Sequence, residues 1–397
     1  MEEFKTYRLA DICNSIQTGP FGSQLHKSDY VEFGTPIVMP KDITNGKIND
    51  NNISRISKND VAKLFKHKLV PGNIIYPRRG DISKCALVTS KEDGWVCGTG
   101  CIKVDINQQI ANSMYVMYVL CQSETINWIE SNAVGTTMLN LNTSILSDLP
   151  IKLPSLNMQK KLANIVSSFD KKIELNRRIN DNLEQQAQAL FDYYFSADSK
   201  YLSDSERGVL TNIAVYLNGL AMQKFPPTDS EHSLPVLKIK ELGQGKCDNN
   251  SDRCSNDIDS NYVIDNGNII FSWSGTLMVD VWCGGKCGLN QHLFKVTPLQ
   301  DYPQWFIYYW TIRHLNTFKL IAKDKAVTMG HIKRVDLEKA EVIIPNKYSL
   351  VEMNAQIEPL YQSIINNRLQ IAELETLRDA LLPKLMSGEL KINDLNC

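Results

Sequence analysis

The chain has 397 residues, and its ten cysteines are the first place to look for chemistry. Cys97-x3-Cys101 and Cys283-x3-Cys287 come near metal-ligand spacing, and Cys247 and Cys254 lie upstream of the second pair. Structural zinc takes four such ligands, so Cys247, Cys254, Cys283 and Cys287 form a candidate set. Neither pair is the usual CxxC knuckle, and the cysteines fall into no disulfide framework. The expectation is buried free thiols and no metal. Other reactive patterns are missing. "GGKCGLN" is too short for a phosphate-binding GxxxxGK[ST] loop and has no Ser or Thr after its lysine. "SWSGT" falls short of a GxSxG elbow, HExxH does not occur, and the histidines form no i, i+4 pair. "CGTGC" reads as a turn between strands rather than a nucleotide loop. No catalytic residue is assigned.

Basic and polar side chains remain. "KLFKHKLV", "YPRRGDISK" and "KLIAKDK" mix lysine and arginine with aromatic or apolar residues, a composition suited to phosphates and base edges. The candidate DNA contacts are Lys66, Lys68, Arg78, Arg79, Lys84, Lys323 and Lys325. Arg78 and Arg79 lead, because they follow a strand-like "NIIYP" and precede a Gly-Asp turn. Gln291 and His292, in "GLNQHLFKV", read equally as polar residues of a core strand or as base readers. The formal net charge is -1, so a nucleic-acid surface would have to be a local patch. Without a run of about 18 apolar residues or a basic-then-apolar leader, the expectation is a cytoplasmic protein without membrane contact.

The chain repeats itself, and the repeat shows what must position these residues. "PGNIIYPRRGD" returns as "NGNIIFSWSGT", and "NAVGTTMLNLNTSILSDLPIKLPS" returns as "KAVTMGHIKRVDLEKAEVIIPN". "ELNRRIN" returns as "INNRLQI", which sets Asn176-Arg177 against Asn367-Arg368. Each copy begins with short apolar runs broken by Gly, Asn, Asp and Pro, which read as strands and turns. An apolar helix follows in each, "ANSMYVMYVLCQSETINWIES" and "YPQWFIYYWTIRHLNTFKLI". Each copy is therefore a globule of mixed α/β or α+β class.

A short strand then ends at Pro154 or Pro345, and a long helix begins. In the first copy, core positions step by four and three residues through Leu162, Val166, Phe169, Ile173, Asn176, Asn180, Leu183, Ala187, Leu190 and Tyr194. In the second they run Leu350, Met353, Ile357, Leu360, Ile364, Asn367, Ile371, Leu374, then Leu377 or Arg378, Leu381 and Leu385. That spacing is a coiled-coil seam, in which Asn176, Asn180 and Asn367 are either tolerated polar defects or register pins. Pro359 should kink or restart the second helix. If a twofold axis relates the copies, the helices pair antiparallel and hold two similar heads apart. The apolar ends "ALFDYYF" and "LLPKLM" read as exposed surface awaiting a partner. A four-residue insertion near Ala187 should lengthen the spacer.

The segments 153–195 and 373–390, above all "LLPKLMSG", resemble the shared central and C-terminal regions of the specificity subunits of type I restriction–modification enzymes. The resemblance implies two target recognition domains, 1–152 and 198–346, with spacer helices in 153–197 and 347–397. Each domain would read half of a bipartite site in double-stranded DNA. The helices would dock two modification subunits carrying an adenine methyltransferase and its S-adenosylmethionine. Restriction and motor subunits using ATP and Mg2+ would join outside, and this chain would bind no cofactor and do no chemistry itself. Other readings stay open: the recognition subunit of a two-protein type II enzyme, a coiled-coil adaptor, or a metal-dependent enzyme built on the cysteines.

Overall fold

A computed structural model describes residues 4–44, 46–135, 139–324 and 330–390. The chain forms two compact units. One comprises residues 1–170 and 377–397, the other 171–376, so each unit holds a globular head and part of both long helices.

The two heads share one plan. In the first, a four-stranded antiparallel sheet runs in the order Cys13–Thr18, Cys101–Ile106, Asn73–Pro77, Ala86–Leu87. In the second, the order is Ala214–Asn218, Leu293–Pro298, Ile269–Ser272, Met278–Val281. "NIIYP" and "IIFS" thus occupy the same interior strand, and both are buried throughout because the two faces of the sheet are covered. A smaller sheet in each head contains one parallel pairing, Thr35–Val38 with Val96–Cys97 and Ser233–Leu237 with Cys287–Leu289. The strands before the long helices, Pro150–Leu153 and Glu341–Ile344, pair antiparallel with Lys5–Arg8 and Glu206–Val209. "CGTGC" is the expected turn between strands. The apolar helical segment is a single helix, Gln304–Asp324, in the second head only. In the first it divides into Ser113–Leu120 and Ser123–Asn132, because Gln122 adopts an extended backbone (ψ 145°) and starts a new helix.

The long helices span Leu156–Tyr194 and Lys347–Ser387. Pro359 does not restart the second helix, which is continuous across it. Proline deprives one carbonyl in the preceding turn of its helical partner, but Pro359 is exposed, so water can satisfy that oxygen. The seam positions Leu162, Val166, Ile173, Ala187, Tyr194, Met353, Ile357, Ile364 and Leu385 are buried. Arg378 takes the disputed position, half-buried against Asp170, while Leu377 is 46% exposed.

Within residues 171–376 the two helices run antiparallel and pair reciprocally. Arg177 and Glu184 of the first copy correspond to Arg368 and Glu375 of the second, and each arginine meets the other copy's glutamate. Arg177 Nη2 lies 2.6 Å from Glu375 Oε1, and Arg368 Nη2 lies 2.8 Å from Glu184 Oε1. Self-complementary exchange of this kind is what a twofold axis imposes. The seam asparagines are hydrogen-bonded rather than stranded. Asn176 Nδ2 donates to Gln370 Oε1 (2.6 Å), Asn180 Nδ2 to the Ile364 carbonyl (3.1 Å), and Asn367 Nδ2 to Asn180 Oδ1 (2.9 Å).

The apolar helix ends do not wait for a partner, which corrects the sequence expectation. Phe191, Tyr194 and Phe195 are buried in the second head's core with Trp305, Phe306, Trp310, Met353 and Ile357. Leu385 and Met386 are buried in the first head's core with Leu162 and Val166. The periodicity marked these residues as apolar but could not show that the heads themselves cover them. Ala187 belongs to the same second-head core, so an insertion there would shear that core before it lengthened any spacer. Phe191, fully buried, touches Phe195, Tyr309 and Trp310 at ring centroid distances of 4.7, 5.5 and 5.5 Å. Phe191→Ala should therefore lower stability by about 3–5 kcal/mol, read as a loss of denaturant midpoint.

Candidate nucleic-acid interface

Arg78 and Arg79 follow the central strand of the first head and enter a turn at Gly80 (φ 85°). Their backbone is held from both sides. Arg78 N donates to the Gly100 carbonyl (2.6 Å), Leu141 N donates to the Arg78 carbonyl (2.8 Å), and Arg79 bridges Asn140. Their guanidinium groups, by contrast, have no ion pair or hydrogen bond among the described residues, and Arg78 Nε is buried without a partner. The nearby Asp81 is already engaged by Lys84 Nζ at 2.7 Å. Both arginines line a cavity of about 240 Å³, together with residues 18–22 and 99–101.

The second head builds the same place from different side chains. Trp273 and Ser274 stand where Arg78 and Arg79 stand. Trp273 N donates to the His292 carbonyl (3.4 Å), Ile332 N to the Trp273 carbonyl (3.0 Å), and Ser274 bridges His331. The turn after the first sheet strand packs alike in both heads. A Cβ on Gly19 would run into the Gly98 carbonyl, and one on Gly219 into that of Asn290. Gly19 N donates to Cys101 O (2.8 Å) and Gly219 N to Leu293 O (3.0 Å), which fixes Thr99 and Gly100 as the counterparts of Gln291 and His292.

His292 sits between two cavities. One, of about 870 Å³, is walled by Trp273, Phe294, Tyr262, His331 and Asn218, with Lys333 and Arg334 also lining it. The other, of about 460 Å³, also takes Gln291, Lys238 and Arg253. Ser274 Oγ lies 3.1 Å from His292 Nδ1, and Gln291 Nε2 lies 3.4 Å from His292 Nε2. Trp273 Nε1 donates to Asn218 Oδ1 (2.9 Å), which fixes the indole in the cavity wall.

The remaining candidates fall elsewhere. Lys66 and Lys68 are exposed, and their carbonyls accept hydrogen bonds from Lys103 Nζ at 2.9 and 3.2 Å. Lys295 repeats that clamp in the second head, on the carbonyls of Asn261 and Val263. Lys323 is exposed near the end of helix Gln304–Asp324, and Lys325 lies outside the described residues. Two of the sequence candidates are thus brought together in each head, Arg78 with Arg79 and Gln291 with His292. Trp273, Ser274, Thr99 and Asn218 were missed. The repeat held the signal, since "YPRRGD" aligned with "FSWSGT" sets Arg78 and Arg79 against Trp273 and Ser274.

Among the described residues no group of three or more His, Cys, Asp or Glu is placed to hold an ion. Burial pushes the Cys97 thiol up to about 12 and the Cys283 thiol up to about 11, so both stay protonated at neutral pH. Among the described residues no helix is long and apolar enough to cross a membrane.

Each unit thus carries the matched site on a head of the same plan, packed with part of both long helices. The family model for the type I restriction modification DNA specificity domain matches residues 1–185 and again 204–376, and the chain belongs to that family. It is 25% identical over 393 residues to the type I restriction enzyme MjaIX specificity subunit of Methanocaldococcus jannaschii, covering 91% of this chain and 88% of that one. It is 21% identical over 470 residues to the HindI specificity subunit of Haemophilus influenzae, covering 98% of this chain and 100% of that one. The fold is also that of the crystal structure of the type I restriction–modification S subunit from M. genitalium. That comparison gives a TM-score of 0.62 at 15% identity, with 96% of each chain covered.

Proposed function

We propose that this chain is the DNA-reading subunit of a type I restriction–modification complex, with each head reading one half of a bipartite site in double-stranded DNA. The observation that carries this reading is the matched site: one backbone framework, repeated in both heads, presents different side chains at equivalent positions. That is the arrangement needed to read two different half-sites with one fold. The paired helices fix the gap between the half-sites and dock two modification subunits, which supply the adenine methyltransferase and S-adenosylmethionine. Restriction and motor subunits supply the chemistry that uses ATP and Mg2+, and the complex works in the cytoplasm. This chain contributes recognition only. The division into a first head (1–152), a central helix (153–197), a second head (198–346) and a C-terminal helix (347–397) is part of the proposal. So is the role of Asn176, Asn180 and Asn367 as register pins, which their hydrogen bonds to the facing helix support.

A head exchange tests it. Replacing residues 1–152 with the corresponding head of another family member should change one half of the methylated motif and leave the other half and the gap intact. A hybrid that altered both halves would show that the heads do not read independently.

A further inference from the structure

We infer that the strand end and its facing turn are the base-reading element of both heads, set for guanine in the first head and for adenine in the second. The inference rests on the DNA-reading function proposed above and names the side chains that carry it.

In the first head the element presents Arg78, Arg79, Thr99 and Gly100. The backbone of both arginines is anchored on the Gly100 and Leu141–Asn140 sides, while their guanidinium groups have no partner among the described residues. The anchored backbone fixes where each side chain starts, and the planar guanidinium fork offers two parallel donors for a bidentate contact. The commonest specific contact such a group makes in the major groove is with the O6 and N7 acceptors of guanine. Lys84, the neighbouring cation, is occupied by Asp81, and Asp81 is thereby kept from neutralising the arginines.

In the second head the same positions are Trp273, Ser274, Gln291 and His292, and no guanidinium is among them. Gln291 offers a carboxamide, which matches the N6 donor and N7 acceptor of adenine. Ser274 and His292 are linked at 3.1 Å, and His292 lies 3.4 Å from Gln291, so the carboxamide is braced by its neighbours. The Trp273 ring, pinned by Asn218, adds an apolar face that the C5-methyl of the paired thymine can meet. The difference in chemistry at one shared framework is what makes the two half-sites different.

The test uses the intact chain assembled with its modification subunits, and duplexes that carry the native motif or single base-pair changes in it. Arg79→Ala should cut discrimination at one G·C pair of one half-site by about 5- to 150-fold and leave the other half-site unaffected. Gln291→Ala should do the same at one A·T pair of the other half-site. Arg79→Lys separates base reading from charge: it keeps a cation for phosphate but loses the bidentate fork, so discrimination at that G·C pair should still fall. A uniform loss across all duplexes, with a shallower salt dependence, would mean that Arg79 touches phosphate and would overturn the assignment. Unchanged discrimination in Arg79→Ala and Gln291→Ala would overturn it too. If the unaltered complex showed no sequence preference, the DNA-reading function itself would fall, and that control precedes every variant.

Discussion

Four residues inserted after Glu174 and four more after Glu375 should lengthen the gap between half-sites by one or two base pairs and change neither half-site. In a helix each residue adds 1.5 Å, so four add about 6 Å, against about 3.4 Å per base pair. The two insertion points face each other across the antiparallel pair. Asn176–Gln370 and Arg177–Glu375 stay matched on one side, and Asp170–Arg378 stays matched on the other. Inserting into the central helix alone should behave differently. It would carry the Asp170 side of that helix a full turn along the second helix, parting Asp170 from Arg378 and displacing the apolar seam beyond them. Specific methylation should then be lost, not re-spaced. Mapping methylated adenines after single and double insertion distinguishes the two outcomes. A gap that stays fixed in an active double variant would show that the helices are not the ruler.

Arg368→Ala should cost roughly 2–4 kcal/mol of stability, whereas Arg177→Ala, its counterpart in the repeat, should cost less than about 1 kcal/mol. Arg368 binds Glu184 at 2.8 Å and Asp280 of the second head at 2.5 Å, and its side chain is 26% exposed. Removing it leaves two half-buried carboxylates facing each other without a cation. Among the described residues Arg177 pairs with Glu375 alone, and it is 51% exposed and well screened by water. Denaturant unfolding of the two variants measures the contrast, and equal losses would show that burial does not set the strength of these pairs. Arg378 has a comparable role in the other unit. It lies 2.8 Å from Asp170, which also accepts a hydrogen bond from Tyr118 Oη at 2.5 Å.

Periodicity exposed the helices well. The seam through Leu162, Ile173, Asn176 and Ala187, and that through Met353, Ile357 and Ile364, follow directly from apolar spacing, since burial of one helical stripe is a local rule. What covers "ALFDYYF" was not legible, because the covering residues, Trp305 to Trp310, are more than a hundred positions away in sequence. The same holds for the site. Arg78 and Arg79 were visible as charges next to a turn, and Gln291 and His292 as polar residues inside an apolar run. That both pairs belong to one repeated framework, on its strand end and on its facing turn, was not, because it depends on hydrogen bonds between distant strands and turns, such as Arg78 to Gly100 and Trp273 to His292. Lys84 shows the limit of reading charge from composition. A lysine counted as free in the sequence can be spent on a neighbour such as Asp81, and only the fold reveals that.

The most direct measurement is a map of methylated adenines in the genome that encodes this chain, made with the gene intact and with it deleted. The account predicts a two-part motif, with unlike halves and a gap of fixed length, that is methylated in the intact strain and unmethylated after deletion. A methylation pattern unchanged by the deletion, or a lost motif consisting of one continuous half only, would contradict it.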